Sequence, residues 1–123
     1  MKTAIIVFAH GSSVETANEA VRAVTREAAQ AGGFALTETA FLEMAQPDLP
    51  AAVEKMRGAG AERIIVVPYF LTLGIHLRRD LPRIVEELTG RYDGLSIEVT
   101  DPLDGHPALA RIVQERAAKA IEC

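Results

Sequence analysis

The stretch that decides the fold is Ala4 to Ser13, which reads AIIVFAHGSS. It opens with a continuous apolar run without alternation, a pattern typical of a strand covered on both faces, as in a parallel sheet. The run stops at His10, and Gly11 then allows a sharp turn of the backbone. We expect Ser12 and Ser13 to cap a following helix. A histidine is therefore predicted where a buried strand opens to solvent, at the edge where open parallel sheets bind their ligands.

The composition is typical of one globular domain over residues 1–123, since 49% of the residues are hydrophobic and 24% are charged. No apolar run approaches the ~20 residues of a membrane span, and the beginning does not resemble a signal peptide. The net charge of -4 argues against nucleic acid as the main partner. The one cysteine is Cys123, so no intrachain disulfide is expected, and its thiol is interpreted as inert. This use of cysteine predicts a cytoplasmic location.

Beyond this stretch, strand patterns alternate with helix patterns. The strands are predicted at about Thr3–Ala9, Ala35–Leu42, Arg63–Phe70 and Leu95–Thr100. The helices are predicted at about Val14–Ala31, Leu49–Ala59, Leu81–Leu88 and Pro107–Ile121. The alternation predicts a three-layer α/β/α architecture, a four-stranded parallel sheet of order 2-1-3-4 with helices on both faces.

Three expectations concern how the helices pack. The first helix is expected to bury one apolar face, formed by Ala17, Val21, Val24, Ala28 and Ala31. The last helix is expected to bury Leu109, Ile112, Val113, Ala117 and Ile121. Pro82 is predicted either to kink the third helix or to lie in its first turn, with Asp80 as the cap.

Three side chains that can bind a metal follow the ends of successive strands: His10, Glu43 and His76. A parallel sheet brings all these ends to one edge. Two imidazoles and a carboxylate suit first-row divalent metals, and such a set leaves coordination positions open, as catalytic sites do. Each residue also has a structural alternative, since either histidine can simply satisfy a hydrogen bond and Glu43 can be an ordinary loop carboxylate.

The segment around the second of these histidines suits a flat, acidic ligand. Arg78, Arg79 and Arg83 can pair with carboxylates bidentately, or they can lie on a solvated helix face. The uncharged stretch Tyr69–Ile75 is predicted to line an apolar pocket or a dimer surface. His106 is interpreted as a residue that starts the last helix, with a catalytic role as the alternative.

In these motifs the chain resembles the short class II chelatases of the CbiX/SirB type, the sirohydrochlorin metal chelatases. The matching stretches come in the same order and cover nearly the full chain: Val7–Ser13, Ala40–Leu49, Val67–Pro82 and Asp101–Pro107. The resemblance implies insertion of Co²⁺ or Fe²⁺, with Ni²⁺ as a further option, into a tetrapyrrole for cobalamin or siroheme biosynthesis, with no tightly bound cofactor. It implies His10 and His76 as the metal-binding and catalytic pair, with Glu43 nearby.

The resemblance also implies how the substrate is held. Sirohydrochlorin is flat and rich in carboxylates, so the implied substrate-binding residues are Ser12, Tyr69, Phe70, Leu71, Gly74, Ile75, Arg78 and Arg79. Longer relatives fuse two such units around the macrocycle. A single unit is therefore expected to form a C2 homodimer with its sites facing the interface.

Two other functions fit the same residues. A phosphoryl-transfer enzyme with a histidine nucleophile would also place His10 at a strand end, but such enzymes usually carry an Arg before that histidine, and Ala9 stands there. A non-catalytic protein that binds a divalent metal or a tetrapyrrole would use the same site as a carrier. Turnover distinguishes a chelatase from such a carrier.

Overall fold

The computed structural model describes residues 2–122, in which four strands alternate with four helices. The strands are β1 (Thr3–Ala9), β2 (Leu36–Phe41), β3 (Arg63–Pro68) and β4 (Ser96–Val99). The helices are α1 (Glu15–Gly32), α2 (Leu49–Gly58), α3 (Ile75–Arg91) and α4 (Pro107–Glu122). One parallel sheet of order β2-β1-β3-β4 confirms the predicted α/β architecture and strand order. Cys123 lies outside the described residues, so the interpretation of its thiol stays a prediction.

The register of the sheet brings three strand ends together. Ala9 of β1 pairs with Phe41 of β2, and Phe8 pairs with Pro68 of β3. Proline has no N–H to donate, and β3 ends there, two residues earlier than predicted. The next amide, that of Tyr69, donates to the Phe8 carbonyl at 2.7 Å. The loops that follow β1, β2 and β3 therefore all begin at one edge of the sheet.

The hydrophobic core lies between the sheet and the helices α2 and α3. From the strands it takes chiefly alternate side chains of β1 and β3: Ala4, Ile6, Phe8, Ile64 and Val66. The helices contribute Leu49, Ala52, Val53, Met56, Leu81 and Leu88. Asp48 caps α2, because its Oδ1 accepts the amide of Ala51 at 2.9 Å. On this face the central strands β1 and β3 are buried, while Leu36 of β2 and Ile97 of β4 at the edges are half-buried.

The opposite face is covered less completely. In β1, Val7 and Ala9 are buried on this face and Ile5 is half-buried, so the expectation that both faces of β1 are covered is confirmed at Val7 and Ala9. Ile65 and Val67 of β3 are half-buried. The helix α4 makes few contacts with other elements and buries no residue. Of the five side chains expected to be buried there, only Leu109 is even half-buried, while Ile112, Val113, Ala117 and Ile121 are exposed. The apolar stripe on α4 exists, but it has no partner within residues 2–122.

An apolar groove of 1130 Å³ runs between α1 and α4. We call it the α1–α4 groove. Its walls are Val24, Ala28 and Ala31 of α1, Ala108, Leu109 and Ile112 of α4, and Tyr69, Phe70, Leu71, Leu103 and His106 from the connecting segments. The groove forms because α4 does not pack closely against the sheet.

The predicted apolar face of α1 is also wrong, because its buried residues are the polar Asn18 and Thr25. Of the five residues expected to be buried, Val21 is half-buried and Ala17, Val24, Ala28 and Ala31 are exposed. Thr25 accepts a buried hydrogen bond from the hydroxyl of Thr39 in β2 at 2.8 Å. A polar side chain can be buried when it has a hydrogen-bond partner, as Thr25 has. The alanines of α1 can stay exposed at little cost because each has only a small apolar area to bury.

The helix α3 begins earlier than predicted and contains Pro82 in its interior. The alternative with Pro82 in the first turn and Asp80 as the cap is wrong, because the residue that precedes the helix is Gly74. His76 therefore lies in the first helical turn rather than in a loop. Within residues 2–122, none of the helices combines the length and apolar character needed to cross a membrane.

Candidate functional site

His10 and His76 line one cavity of 370 Å³ at the carboxyl edge of the sheet. His10 follows β1 directly, and His76 is the second residue of α3. We call this space the rim cavity. Its remaining walls are mostly apolar: Leu42, Phe70, Gly74, Ile75, Leu77, Asp80 and Ile84. The structure thus brings the two histidines to one cavity, while their roles stay a prediction.

The ring of His10 is oriented by a hydrogen bond to its own neighbour. Its Nδ1 lies 3.0 Å from the carbonyl oxygen of Gly11. A carbonyl oxygen only accepts, so this contact favours the tautomer that has its proton on Nδ1 and the lone pair of a neutral ring on Nε2. Neutral imidazole binds metals through such a lone pair, so this ring orientation fits the predicted role of His10, which stays a prediction.

Glu43 faces the free nitrogen of that ring. Its Oε1 lies 3.5 Å from His10 Nε2, and both side chains are more than half exposed. The Glu43 oxygen and the unprotonated His10 nitrogen both carry lone pairs, so at this distance they attract each other only when a cation or a proton lies between them. Metal bonds of about 2.1 Å to both atoms would span the gap with an angle of about 110°. The pair therefore has the spacing of two ligands on one divalent ion.

The loops after β1 and β2 touch directly at Gly11. Its φ is +92°, a region that favours glycine, and the amide of Glu43 donates to the His10 carbonyl at 3.1 Å. A Cβ atom at Gly11 would lie 1.8 Å from the Glu43 carbonyl oxygen. Only glycine lets the two loops approach this closely, and the approach sets Glu43 beside His10.

Ser12 does not cap α1, contrary to expectation. The residue that precedes the helix is Val14, whose side chain provides no cap, and the Ser12 hydroxyl accepts the Val14 amide at 3.0 Å. Ser13 is exposed. The backbone of Ser12 is held by Asn18, which accepts its N–H at 2.9 Å and donates to its carbonyl at 2.8 Å. Sequence reasoning missed Asn18, although an asparagine one turn into an otherwise amphipathic helix is a signal that could have found it.

The second histidine is less prepared to bind a metal. Arg79 Nη2 lies 3.4 Å from His76 Nδ1, and because a guanidinium only donates, Nδ1 is the acceptor of this weak bond. Arg79 also pairs with Asp80 at 3.2 Å. No three His, Cys, Asp or Glu side chains of residues 2–122 gather closely enough to hold an ion. The structure thus has a close His10–Glu43 pair with His76 elsewhere on the cavity wall, and the three-residue set stays a prediction.

The apolar stretch before α3 is divided between two spaces. Gly74 and the 82% exposed Ile75 line the rim cavity, whereas Tyr69 and Leu71 line the α1–α4 groove. Phe70 lines both, and its ring packs edge-on against Phe8 with centroids 5.9 Å apart. The stretch therefore lines two cavities, and Phe70 borders both. Its role in binding a flat ligand or in forming a dimer stays a prediction.

The basic residues expected to grip the substrate are exposed. Arg78 and Arg83 lie on the surface of α3, as does Arg79. Arg78 also borders a polar pocket that contains Asp101 and Asp104. His106 starts α4 as interpreted, since its Nδ1 accepts the amide of Ala108 at 3.0 Å.

The structure is a parallel α/β fold in which His10, His76 and Glu43 lie near the carboxyl edge of the sheet, the edge at which such folds bind small ligands. Residues 4–120 match the CbiX family, and the chain belongs to that family. The resemblance predicted from the motifs is thereby confirmed.

Three similar proteins show how far the match extends. The sirohydrochlorin cobaltochelatase of Methanopyrus kandleri is 31% identical, with 96% of each chain covered. The chloroplastic sirohydrochlorin ferrochelatase of Arabidopsis thaliana is 30% identical over 91% of this chain but only 50% of its own length. The crystal structure of a CbiX protein from Marinobacter aquaeolei superposes with a TM-score of 0.84 at 30% identity, covering 98% of each chain.

Proposed function

We propose that this chain is a sirohydrochlorin chelatase, which inserts Co²⁺ or Fe²⁺ into the tetrapyrrole with release of two protons, in cobalamin or siroheme biosynthesis. The observation that carries the proposal is the placement of His10 and His76 on one apolar-walled cavity at the carboxyl edge of the sheet. Family membership supports it, because similar proteins are a cobaltochelatase and a ferrochelatase. The cytoplasmic location stays a prediction from the sequence.

In this proposal the metal ion is a substrate, received first by the His10–Glu43 pair. His10 offers the Nε2 lone pair, and Glu43 offers an anionic oxygen 3.5 Å away. Imidazole and carboxylate hold a first-row ion exchangeably, leaving positions for pyrrole nitrogens. The two pyrrole protons need acceptors as the ion enters. Glu43 and His76 are the proposed acceptors, since both are exposed and can pass protons to water.

The surface around the rim cavity suits the macrocycle. Phe70 and Ile75 provide apolar area for its flat face. Arg78 and Arg79 provide guanidinium groups that can pair with its carboxylates through two parallel hydrogen bonds. Apolar walls with a few charged groups are typical of small-molecule sites. These contacts are part of the proposal.

A homodimer is also part of the proposal, with a second copy covering the α1–α4 groove and the stripe on α4. Ile112, Val113 and Ile121 are 48%, 68% and 84% exposed and are spread over about half of the helix surface. Contiguous exposed apolar surface of this kind marks interaction sites. Because Phe70 lines both the groove and the rim cavity, a copy seated in the groove would lie against the site.

Sedimentation velocity tests the dimer with two neighbouring substitutions on α4. Val113→Glu is expected to give a monomer at micromolar concentration, because it puts a charge on the apolar stripe. Gln114→Glu, its matched control on the same helix, is expected to sediment like wild type. Sedimentation of the wild-type chain as a monomer with full activity would contradict this part of the proposal.

The function is tested by sirohydrochlorin metallation under anaerobic conditions with Co²⁺, Fe²⁺ and Ni²⁺ in parallel. His10→Ala and His76→Ala are each expected to lose most of the activity while keeping the fold. The control is Gln114→Glu, at an exposed position of α4 that lines neither the rim cavity nor the α1–α4 groove. Binding of Co²⁺ without acceleration of metallation would instead make the protein a carrier, and wild-type rates in both alanine variants would refute the site.

A further inference from the structure

Asn18 is a fully satisfied polar residue, only 2% exposed, in the first turns of α1. Its Oδ1 accepts the Ser12 N–H, and its Nδ2 donates to the Ser12 carbonyl and, at 3.2 Å, to Glu15 Oε2. The reverse amide orientation would set an NH₂ group against the Ser12 N–H, so these partners define the orientation. Asn18 thus holds both backbone groups of one residue in the loop after β1.

One of these two groups belongs to the peptide unit that orients His10. The Ser12 N–H and the Gly11 carbonyl are parts of the same planar peptide, in which they point in opposite directions. Asn18 accepts the N–H at 2.9 Å, and the carbonyl lies 3.0 Å from His10 Nδ1. Any rotation of this plane that breaks the first hydrogen bond therefore also breaks the second.

This peptide would otherwise be free to rotate, because Gly11 is conformationally permissive. Asn18 is itself held in place by a chain of contacts that begins at Glu15, to which its Nδ2 donates. Arg22 Nη1 binds Glu15 Oε1 at 2.6 Å, and the Arg22 guanidinium lies over the ring of Phe41, 5.1 Å from its centroid. Asn18 therefore acts on the His10 ring indirectly, through the Gly11–Ser12 peptide: it accepts the N–H of this peptide, and the carbonyl of the same peptide contacts the ring.

We propose that Asn18 is a positioning residue that fixes the Gly11–Ser12 peptide, thereby keeps the His10 proton on Nδ1, and so leaves Nε2 free for the incoming metal. The inference rests on the proposed function only in taking His10 Nε2 as a metal-binding atom. Partners that orient a ligating histidine in this way typically change metal affinity or activity by 10–100-fold when they are removed.

The test compares Asn18→Ala with Thr25→Val, a substitution at the other buried polar position of α1. Ring ¹⁵N chemical shifts are recorded at about pH 8.5 without metal, where histidine is ordinarily neutral, and the His10 signals are assigned from His10→Gln. Wild type and Thr25→Val are expected to show the Nδ1–H tautomer of His10. Asn18→Ala is expected to show a mixture and to bind Co²⁺ about tenfold more weakly.

Rescue separates positioning from simple destabilisation. Asn18→Asp keeps an acceptor for the Ser12 N–H but sets its second oxygen against the Ser12 carbonyl and Glu15 Oε2. It is therefore expected to be less stable than wild type and, where folded, to retain the wild-type tautomer. Wild-type ring shifts and Co²⁺ affinity in folded Asn18→Ala would overturn the inference. So would rapid hydrogen exchange of the Ser12 amide in the wild-type protein, a measurement that needs no variant.

The outcomes distinguish this inference from the proposed function, because neither the tautomer nor Co²⁺ binding requires the tetrapyrrole. A wild-type protein that shows the expected tautomer but fails to metallate sirohydrochlorin would refute the function alone. If the wild-type protein is active and Asn18→Ala leaves the His10 tautomer unchanged, only the inference is refuted.

Discussion

The contact between Gly11 and the Glu43 backbone yields the sharpest prediction. In Gly11→Ala the new Cβ would start 1.8 Å from the Glu43 carbonyl oxygen, whereas real Cβ contacts stay beyond 3.0 Å. The loop after β2 must therefore retreat by about 1.2 Å. Such a shift is large against the 3.5 Å between His10 Nε2 and Glu43 Oε1. Misplacement of a reacting group by about 1 Å can cost about 100-fold in rate, and we expect a loss of that order in sirohydrochlorin metallation.

Gly33→Ala provides the matched control. Gly33 also has a positive φ, +67°, but a Cβ there would meet nothing within 4 Å. Both variants carry the conformational cost of alanine at positive φ, about 1–2 kcal/mol, and only Gly11→Ala carries the clash. Urea denaturation is expected to show the larger loss for Gly11→Ala, and the metallation assay is expected to show wild-type activity for Gly33→Ala. Equal losses of stability together with a wild-type rate for Gly11→Ala would refute the reasoning.

Three further results are expected. Glu15 has a pKa below its ordinary value of 4.5, first because Arg22 and then because Asn18 donates a hydrogen bond to its carboxylate. The ionised Glu15 therefore stabilises the folded protein above pH 4.5, and this stabilisation is lost as the pH falls through the lower pKa of the folded state. Urea denaturation should therefore show a shallower acid loss of stability for Glu15→Gln, and an unchanged slope would contradict this. Thr25→Val leaves the buried Thr39 hydroxyl without its acceptor and should cost about 1–3 kcal/mol, while the double variant with Thr39→Val should cost less; equal costs would show that the pair is not coupled. Binding of Co²⁺ should weaken on acidification because protons compete with the metal for the imidazole nitrogens, and an affinity that does not change in acid would argue against histidine ligands.

The positions of the strands could be predicted from sequence because their signals are local. The apolar run of β1 ends at His10 in the structure as in the prediction, and Asp48 caps α2. Proline stops β3 by lacking an N–H, which is a property of one residue. Parallel topology then carries the ends of β1, β2 and β3 to one edge, so the histidine pair could be placed near one rim without knowledge of any side-chain contact.

The packing of the helices could not be predicted in the same way. Apolar spacing on α1 and α4 predicted buried faces, yet α1 buries Asn18 and Thr25, and α4 leaves Val113 exposed. Periodicity identifies a face that can be buried, but burial depends on what stands opposite. For α1 the partners are the Ser12 backbone and the Thr39 hydroxyl, and for α4 no partner lies within residues 2–122.

By itself, then, the sequence determined the order of strands and helices, the sheet edge that bears the histidines, and the family, because these follow from patterns within short segments. Tertiary structure alone decided that Gly11 touches Glu43, that Asn18 grips Ser12, and that Phe70 joins two apolar spaces. These contacts join residues from different segments, and their geometry depends on where whole elements come to rest. A pattern of residue types carries no information about distances of this kind.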